Sequence, residues 1–187
     1  LHLGAYLNDK LEGVMSFGSP LDKRKVLPLV SGTIWTGMLE LNRMAFSDRL
    51  PRNSESRCMA VAFRLIKKHY PHIEWILSFS DGCQCGDGTI YRASGFVLTS
   101  IKKNNSIWRA PTGESFAETS LRPEIGGSAA IKKAEAISRT TMTKGAHLAA
   151  SGGKSSMQRF KDAGWKPIEG FQLRYIYFLN PEAKARL

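Results

Sequence analysis

Residues 73–96 read IEWILSFSDGCQCGDGTIYRASGF, and the fold is decided in them. Residues 73–79 are nearly continuously apolar, the mark of a strand buried on both faces. Ser80-Asp81-Gly82 ends that strand, a glycine-rich turn follows, and a short helix carrying Tyr91 closes on Gly95-Phe96. A strand that delivers an acid to its carboxyl end and then feeds a helix is where open α/β sheets place chemistry.

The upstream half extends the picture. Residues 38–47 (MLELNRMAFS) alternate as a strand, with Met38, Glu40, Asn42 and Met44 on one side and Leu39, Leu41 and Arg43 on the other. Asn42 and Arg43 on a central strand imply a cleft. Residues 53–70 predict the crossover helix. Asn53 or Ser54 caps it, and Cys58, Val61, Ala62, Leu65 and Ile66 form its apolar face. Lys67 and Lys68 suit the carboxyl end of its dipole and Pro71 stops it.

Residues 2–6 and 14–17 flank the turn chemistry of Asn8-Asp9-Lys10, so a hairpin opens the chain. Residues 19–28 read as a Pro-bounded loop with the basic cluster Lys23-Arg24-Lys25. Residues 96–101 predict a strand, and residues 106–109 a partner for it. Residues 110–127 turn to Thr, Ser, Glu, Pro and Gly and read as a long surface loop. Helices are expected over 129–138 and 152–163, and a terminal strand over 173–179 (LRYIYFL). Residues 92–96 and 161–165 share a helix–Gly–aromatic–strand pattern, the same connection used twice.

The whole reads as an α/β (α+β) fold, a mixed central sheet flanked by helices. The expected organisation over 1–187 is one domain: a core over 1–101, a loop-rich basic insertion over 110–150 and a carboxy-terminal helix and strand over 152–187. The chain begins at Leu1 rather than Met, with strand pattern from His2, so amino-terminal elements are expected to precede this numbering.

The net charge is +11, from 27 Lys and Arg against 16 Asp and Glu. Residues 122–187 hold 12 of the basic and 5 of the acidic side chains. Such a surplus attracts polyanions through counterion release, against the plainer reading of a solubilising surface. No apolar run reaches the length of a membrane span. The three cysteines, Cys58, Cys83 and Cys85, are too few and too clustered for a disulfide framework and place the chain in a reducing compartment. Cys83-x-Cys85 lacks a second Cys/His pair at zinc spacing, so no metal ligands are assigned.

The element order resembles that of the GNAT acyltransferases over roughly residues 1–101, with Tyr91-Arg92-Ala93-Ser94-Gly95-Phe96 as its sharpest motif. At the level of whole segments the likeness is nearer. LGAYLNDKLEGVMSFG, ELNRMAFSDRLPRNSESR and SFSDGCQCGDGTIYRASGF strongly resemble the Mom family of phage DNA-modification proteins, a divergent GNAT branch. The resemblance implies conversion of adenine in phage DNA to a carbamoylmethylated form that shields it from host restriction. It also implies a GNAT-like sheet and work in the host bacterial cytoplasm.

One departure from the GNAT pattern matters. The loop that cradles coenzyme A pyrophosphate in those enzymes is glycine-rich, whereas here Arg49-Leu50-Pro51-Arg52-Asn53-Ser54 has no glycine, and Pro51 removes an amide donor. Arg49, Arg52, Asn53 and Ser54 still suit an anion. The donor is therefore acetyl-CoA or another acyl or aminoacyl carrier. A catalytic iron enters only because the product is unusual.

Adenine's exocyclic amine is a poor nucleophile and needs a group that orients it or removes its proton. Asp81 is the candidate for that role, with an Asx-turn residue as the plain alternative. Tyr91 protonates the leaving group or fixes the acyl oxygen, unless it is a core aromatic. Arg43 and Asn42 hold the donor or the transferred group, unless Arg43 pairs with Glu40, Asp48 or Asp87. Ser56, in the first helical turn, adds to anion binding, unless it is local helix chemistry.

A base in a duplex must be flipped out to react, so the expected partner is double-stranded DNA with an extruded adenine. Trp35, Trp108 and Trp165 are candidates to stack it, with a core aromatic as the plain alternative for each. Lys102, Lys103, Arg109, Lys132, Lys133, Arg139 and Lys144, with Trp108, form the expected DNA surface. Two other classes compete. A conventional GNAT N-acetyltransferase acting on a small amine or protein has no use for this charge. A non-enzymatic DNA-binding protein leaves Asp81 and Tyr91 without a role.

Overall fold

The structure, a computed structural model, describes residues 1–83, 86–121, 128–141 and 156–187. Asn8 and Asp9, with φ of 50° and 60°, make the two-residue turn that joins β1 (His2–Leu7) to β2 (Lys10–Gly18). Positive φ at both central residues matches the right-handed twist of the strands. The segment read as a loop after β2 instead holds a one-turn helix, α1 (Lys23–Val26), and a 3-10 turn (Leu27–Leu29). Then come β3 (Met38–Phe46), α2 (Ser54–His69), β4 (Trp75–Asp81), α3 (Thr89–Ala93) and β5 (Val97–Asn104). The remainder comprises β6 (Ile107–Arg109), β7 (Ser115–Ala117), α4 (Glu118–Leu121), α5 (Ser128–Thr141), α6 (Ser156–Asp162), β8 (Lys166–Pro167), β9 (Gly170–Phe178) and a terminal 3-10 turn (Pro181–Arg186).

The main sheet has the order β1-β2-β3-β4-β9-β5. β1, β2 and β3 run antiparallel, and β3 and β4 run parallel. This is the mixed sheet flanked by helices that the sequence predicts. The terminal strand β9 does not lie at an edge; it enters the sheet between β4 and β5.

By their contacts the residues divide into one unit of Leu1–Ile101 with Leu173–Leu187, and a second of Lys102–Gln172. In the first unit, one face of the sheet packs under α2 and α3. Met15, Phe17, Leu41, Ile76, Phe96 and Tyr175 meet Met59, Ala62, Phe63 and Ile66 there. The other face buries Met38, Trp75, Leu77 and Ile176 against Val30 and Ala183.

The buried side of α2 differs from the expected one. Val61 and Leu65 are exposed, and the inward row is Met59, Ala62, Phe63 and Ile66. The reason is Phe63, whose ring stacks on Tyr177 at 4.2 Å and meets Phe17 and Phe96 edge-on. An aromatic of that size outweighs the smaller Val61, each fully buried large side chain contributing about 1.5–3 kcal/mol. The capping expectation also changes. Asn53 occupies the cap position in the left-handed region (φ 66°), and neither it nor Ser54 caps the helix through its side chain. Ser54 Oγ donates backward to the Pro51 carbonyl instead, at 2.6 Å.

In the second unit β6 pairs antiparallel with β7 and β8, not with β5 as expected. The segment read as a long loop contains β7 and α4; residues 122–127 lie outside the described residues. Its core is Trp108, Leu121, Ala134, Phe160 and Trp165. The repeated helix–Gly–aromatic pattern is the same device twice. Gly95 (φ 85°) and Gly164 (φ 83°) end α3 and α6, and the Phe96 and Trp165 amides each donate at 3.0 Å to the carbonyl five residues back.

Candidate active site

β3 and β4 pair over only three rungs, Met38–Trp75, Leu39–Ile76 and Glu40–Leu77. Beyond Glu40, β3 runs on to Phe46 and β4 on to Asp81 without further paired residues, so the sheet splays at their carboxyl ends. At the same level β3 carries a bulge. Ser16 of β2 faces Arg43 and Phe17 faces Leu41, which leaves Asn42 as the extra residue.

The bulge corrects the alternation read from the sequence. Leu39 and Leu41 before it, and Met44 and Phe46 after it, all pack under α2. Arg43 is therefore not on the side of Leu39 and Leu41; it shares the opposite face with Met38 and Glu40. β4 presents Trp75, Leu77 and Phe79 to that same face, and Asp81 continues their row. Glu40, Arg43 and Asp81 thus lie on one face of the two splayed strands.

Arg43 is exposed and has no ion-pair partner among the described residues, so it does not pair with Glu40, Asp48 or Asp87. Asn42 lies against Gly18, where an added Cβ would meet its Oδ1 at 2.8 Å. Asp81 accepts the Cys83 amide on Oδ1 at 2.9 Å, the Asx turn that was its plain alternative. Burial, with the Asp81 side chain beside it, raises the Cys83 thiol above its usual range. On the α2 face of β4, Ser78 is fully buried with no partner for its hydroxyl among the described residues, and Ser80 donates to the Gly86 carbonyl at 3.2 Å.

Tyr91 is half-buried, stacked on Tyr175 at 5.3 Å and edge-on to Phe96 at 5.2 Å. The sequence reading missed what fixes the turn before it. Arg92 forks onto Asp87, with Nη2 to the carboxylate at 2.6 Å and Nη1 to the Asp87 carbonyl at 2.7 Å, and also reaches the Tyr175 hydroxyl at 3.3 Å. Tyr175 donates to the Asp87 carbonyl at 2.8 Å. The Thr89 and Arg92 hydrogen bonds hold the Asp87 carboxyl at about 2. The signal was present in Asp87-x-Thr89-x-x-Arg92, but its partner Tyr175 is 83 residues beyond Arg92.

Of the anion-binding candidates, Arg49 is paired with Glu12 at 3.2 Å, and Arg52 is exposed. Ser56 donates to the Asn53 carbonyl at 3.0 Å. Among the described residues no side chain caps the first turn of α2, and the Ser54 amide donates to the Pro51 carbonyl at 3.1 Å, which leaves the Glu55 and Ser56 amides without a side-chain cap beside the loop that carries Arg52.

The DNA-surface candidates all belong to the second unit, which has twelve Lys and Arg against six Asp and Glu. Lys102, Arg109 and Lys132 are exposed, Lys103 approaches Glu169 at 3.5 Å, and Lys133 pairs with Glu114 at 2.7 Å. Arg139 lies in α5, and Lys144 lies outside the described residues. Two of the stacking candidates are corrected. Trp108 is 5% exposed and Trp165 2%, both core residues of the second unit with no open ring face. Trp35 is 57% exposed, but it precedes the amino end of β3, opposite to the end that holds Asp81.

Among the described residues no group of three His, Cys, Asp or Glu could hold a metal ion, and Cys85 lies outside them. No helix among them is long and apolar enough to cross a membrane.

A crystal structure of a GNAT family acetyltransferase from Elizabethkingia anophelis, with acetyl-CoA bound, is similar over 55% of this chain and 57% of its own, at 15% identity and a TM-score of 0.41. The methylcarbamoylase mom of Escherichia phage Mu is 34% identical over 188 residues, covering 100% of this chain and 67% of that protein. The model of the Mom protein family matches residues 1–187, and the chain belongs to that family.

Proposed function

We propose that this chain transfers a carbamoylmethyl group to the exocyclic amine of adenine in phage DNA, in the host cytoplasm, and so protects that DNA from restriction. A Mom-family chain is a DNA-modifying transferase. The observation that carries the finer reading is identity of 34%, over the whole of this chain, with a protein named for methylcarbamoyl transfer. The splayed end of β3 and β4 supports it by bringing Glu40, Arg43 and Asp81 to one face.

In this reading the adenine is flipped from the duplex, and its amine attacks the carbon being transferred. Asp81 orients that amine or takes its proton. Arg43 holds the donor's anionic group or the transferred carbonyl with a guanidinium that no carboxylate among the described residues neutralises. Tyr91, which lies on the α2 side of the sheet and not on the face of Glu40, Arg43 and Asp81, protonates the departing carrier across the gap where β3 and β4 part, from a ring fixed by Tyr175 and Phe96. Asn42 presents its amide at the bulge. The donor is a phosphate-bearing carrier, acetyl-CoA or another acyl or aminoacyl carrier. Its anionic arm lies at the uncapped start of α2, with Arg49, Arg52, Asn53, Ser54 and Ser56 around it. Lys102, Lys103, Arg109, Lys132, Lys133, Arg139 and Lys144 contact DNA phosphates and position the duplex without reading its sequence.

The test is intact-mass analysis of nucleosides from DNA of cells expressing the chain. A deoxyadenosine shifted by one carbamoylmethyl group is expected. Unshifted nucleosides with DNA affinity retained would favour a non-enzymatic DNA-binding protein, and an acetyl shift would favour an ordinary acetyltransferase.

A further inference from the structure

Glu40 is the residue of the splayed face for which nothing so far has a use. It sits on the last rung that β3 shares with β4, opposite Leu77, and its β2 neighbour is Gly18, which has no side chain to cover it. Leu39 and Leu41 on either side of it turn under α2, so Glu40 points to the face that holds Arg43 and Asp81. Its carboxyl is half-buried, yet it has no hydrogen-bond or ion-pair partner among the described residues. A carboxylate taken partly out of water without a partner works against folding, and proteins keep such groups mainly where they act. Arg43, the cation of the same face, does not neutralise it and has no ion-pair partner among the described residues.

Asp81, the other acid of this face, is differently placed. One of its oxygens is committed to the Cys83 amide, which fits a group that sets the loop and orients a substrate.

We propose that Glu40 is a catalytic residue, the proton acceptor of the transfer, and that Asp81 orients the amine. The inference rests on the function proposed above. In the step, the adenine nitrogen bonds to the transferred carbon, and the bond from that carbon to the carrier breaks, its electron pair leaving with the carrier. The surplus proton on nitrogen passes to the Glu40 carboxylate. Burial raises the Glu40 carboxyl above the ordinary carboxylate range, which suits a base that must hold a proton in the transition state.

The experiment compares the wild type with Glu40→Gln and Glu40→Asp at matched expression, measuring the modified fraction of deoxyadenosine and the melting temperature of each purified protein. Glu40→Gln is expected to reduce the modification rate at least about a hundredfold, the usual contribution of a general base. Its melting temperature at neutral pH is expected to equal or exceed the wild type, because the unpartnered charge is gone. Glu40→Asp, a carboxylate on a shorter stem, is expected to recover part of the loss. Full modification by Glu40→Gln would overturn the inference, as would lost activity together with a lowered melting temperature, the signature of a structural residue. A wild type that leaves DNA unmodified would overturn the proposed function itself, whereas an active wild type beside an equally active Glu40→Gln would overturn only the role of Glu40.

Discussion

Glu40 and Arg43 face the same side of β3, although they are three positions apart, because Asn42 is bulged out between them. A regular strand would send one of the two under α2. The bulge therefore places a carboxylate and a cation on one surface at the point where β3 and β4 part, and Arg43, exposed and unpaired among the described residues, gives a direct test. Arg43→Ala is expected to change stability by no more than about 0.5 kcal/mol, as for a surface residue without partners. Modification of deoxyadenosine is expected to be lost. Melting curves and nucleoside mass spectra from one preparation check both halves.

Gly88 holds the turn against β9. Its φ is 73°, and an added Cβ would lie 2.5 Å from the Tyr175 ring, itself fully buried. Gly88→Ala is therefore expected to destabilise by roughly 1–3 kcal/mol through backbone strain and the forced movement of the ring. Tyr175→Phe removes only the hydroxyl that the Asp87 carbonyl accepts, and a loss of about 1 kcal/mol is expected. Urea titrations rank the two, and a milder Gly88→Ala would refute the steric account.

Acid should release the same turn. The folded Asp87 carboxyl, at about 2, lies below its ordinary value of 3.8. A depressed carboxyl stabilises the fold fully above its unfolded value, and that contribution is lost as pH falls through 3.8 toward 2. The side chain is exposed and solvent screens it, so the effect is local loosening of the turn and not global unfolding. Hydrogen exchange of the Thr89 amide, bonded to Asp87 at 3.1 Å, is expected to speed up across that interval. Asp87→Asn should abolish the pH dependence.

Much of this was legible in the chain because its signals are local. Asn8-Asp9 gives the first hairpin, the apolar run gives β4, and Gly95 and Gly164 end two helices. What the sequence concealed depends on distant partners. The bulge at Asn42 exists in the pairing with β2 and leaves no mark on the alternation of β3. The inward row of α2 was misread because Phe63 finds Tyr177 only when β9 enters the sheet. Trp108 and Trp165 read as either stacking residues or core aromatics, and only the second unit's packing makes them core. Tyr175 could not be assigned to the Asp87 turn from spacing, since strand order alone brings them together.

The lysines of α5 separate phosphate contact from internal pairing. Lys132 and Lys133 are both exposed, but Lys133 is engaged by Glu114 and lies 5.8 Å from the Phe116 ring. Lys132→Glu is expected to weaken binding to unrelated duplexes equally and to lower the slope of log affinity against log salt by about one. Lys133→Glu should do so and also lower stability, because it sets two carboxylates against each other. Fluorescence anisotropy over a salt series, with melting curves, resolves the two, and an unchanged slope in both variants would remove α5 from the DNA surface.

The donor is the last unknown, and the start of α2 bears on it. Asn53 takes the left-handed conformation where a glycine would be free of strain, Pro51 has no amide to give, and Arg49 is turned toward Glu12. A pyrophosphate would therefore find fewer amides here than in a glycine-rich loop, although the uncapped helix start and Arg52 still favour an anion. Weak or unsaturable binding of acetyl-CoA is expected in calorimetry at moderate salt. Low salt must be avoided, because a chain of net charge +11 holds any polyphosphate. Tight binding that disappears in the double variant Arg43→Ala, Tyr91→Phe would show an ordinary acyl-CoA site. Absence of binding, together with modification in cell extract, would point to a carrier that the extract supplies. Loss of that activity after ribonuclease treatment would identify the carrier as an RNA.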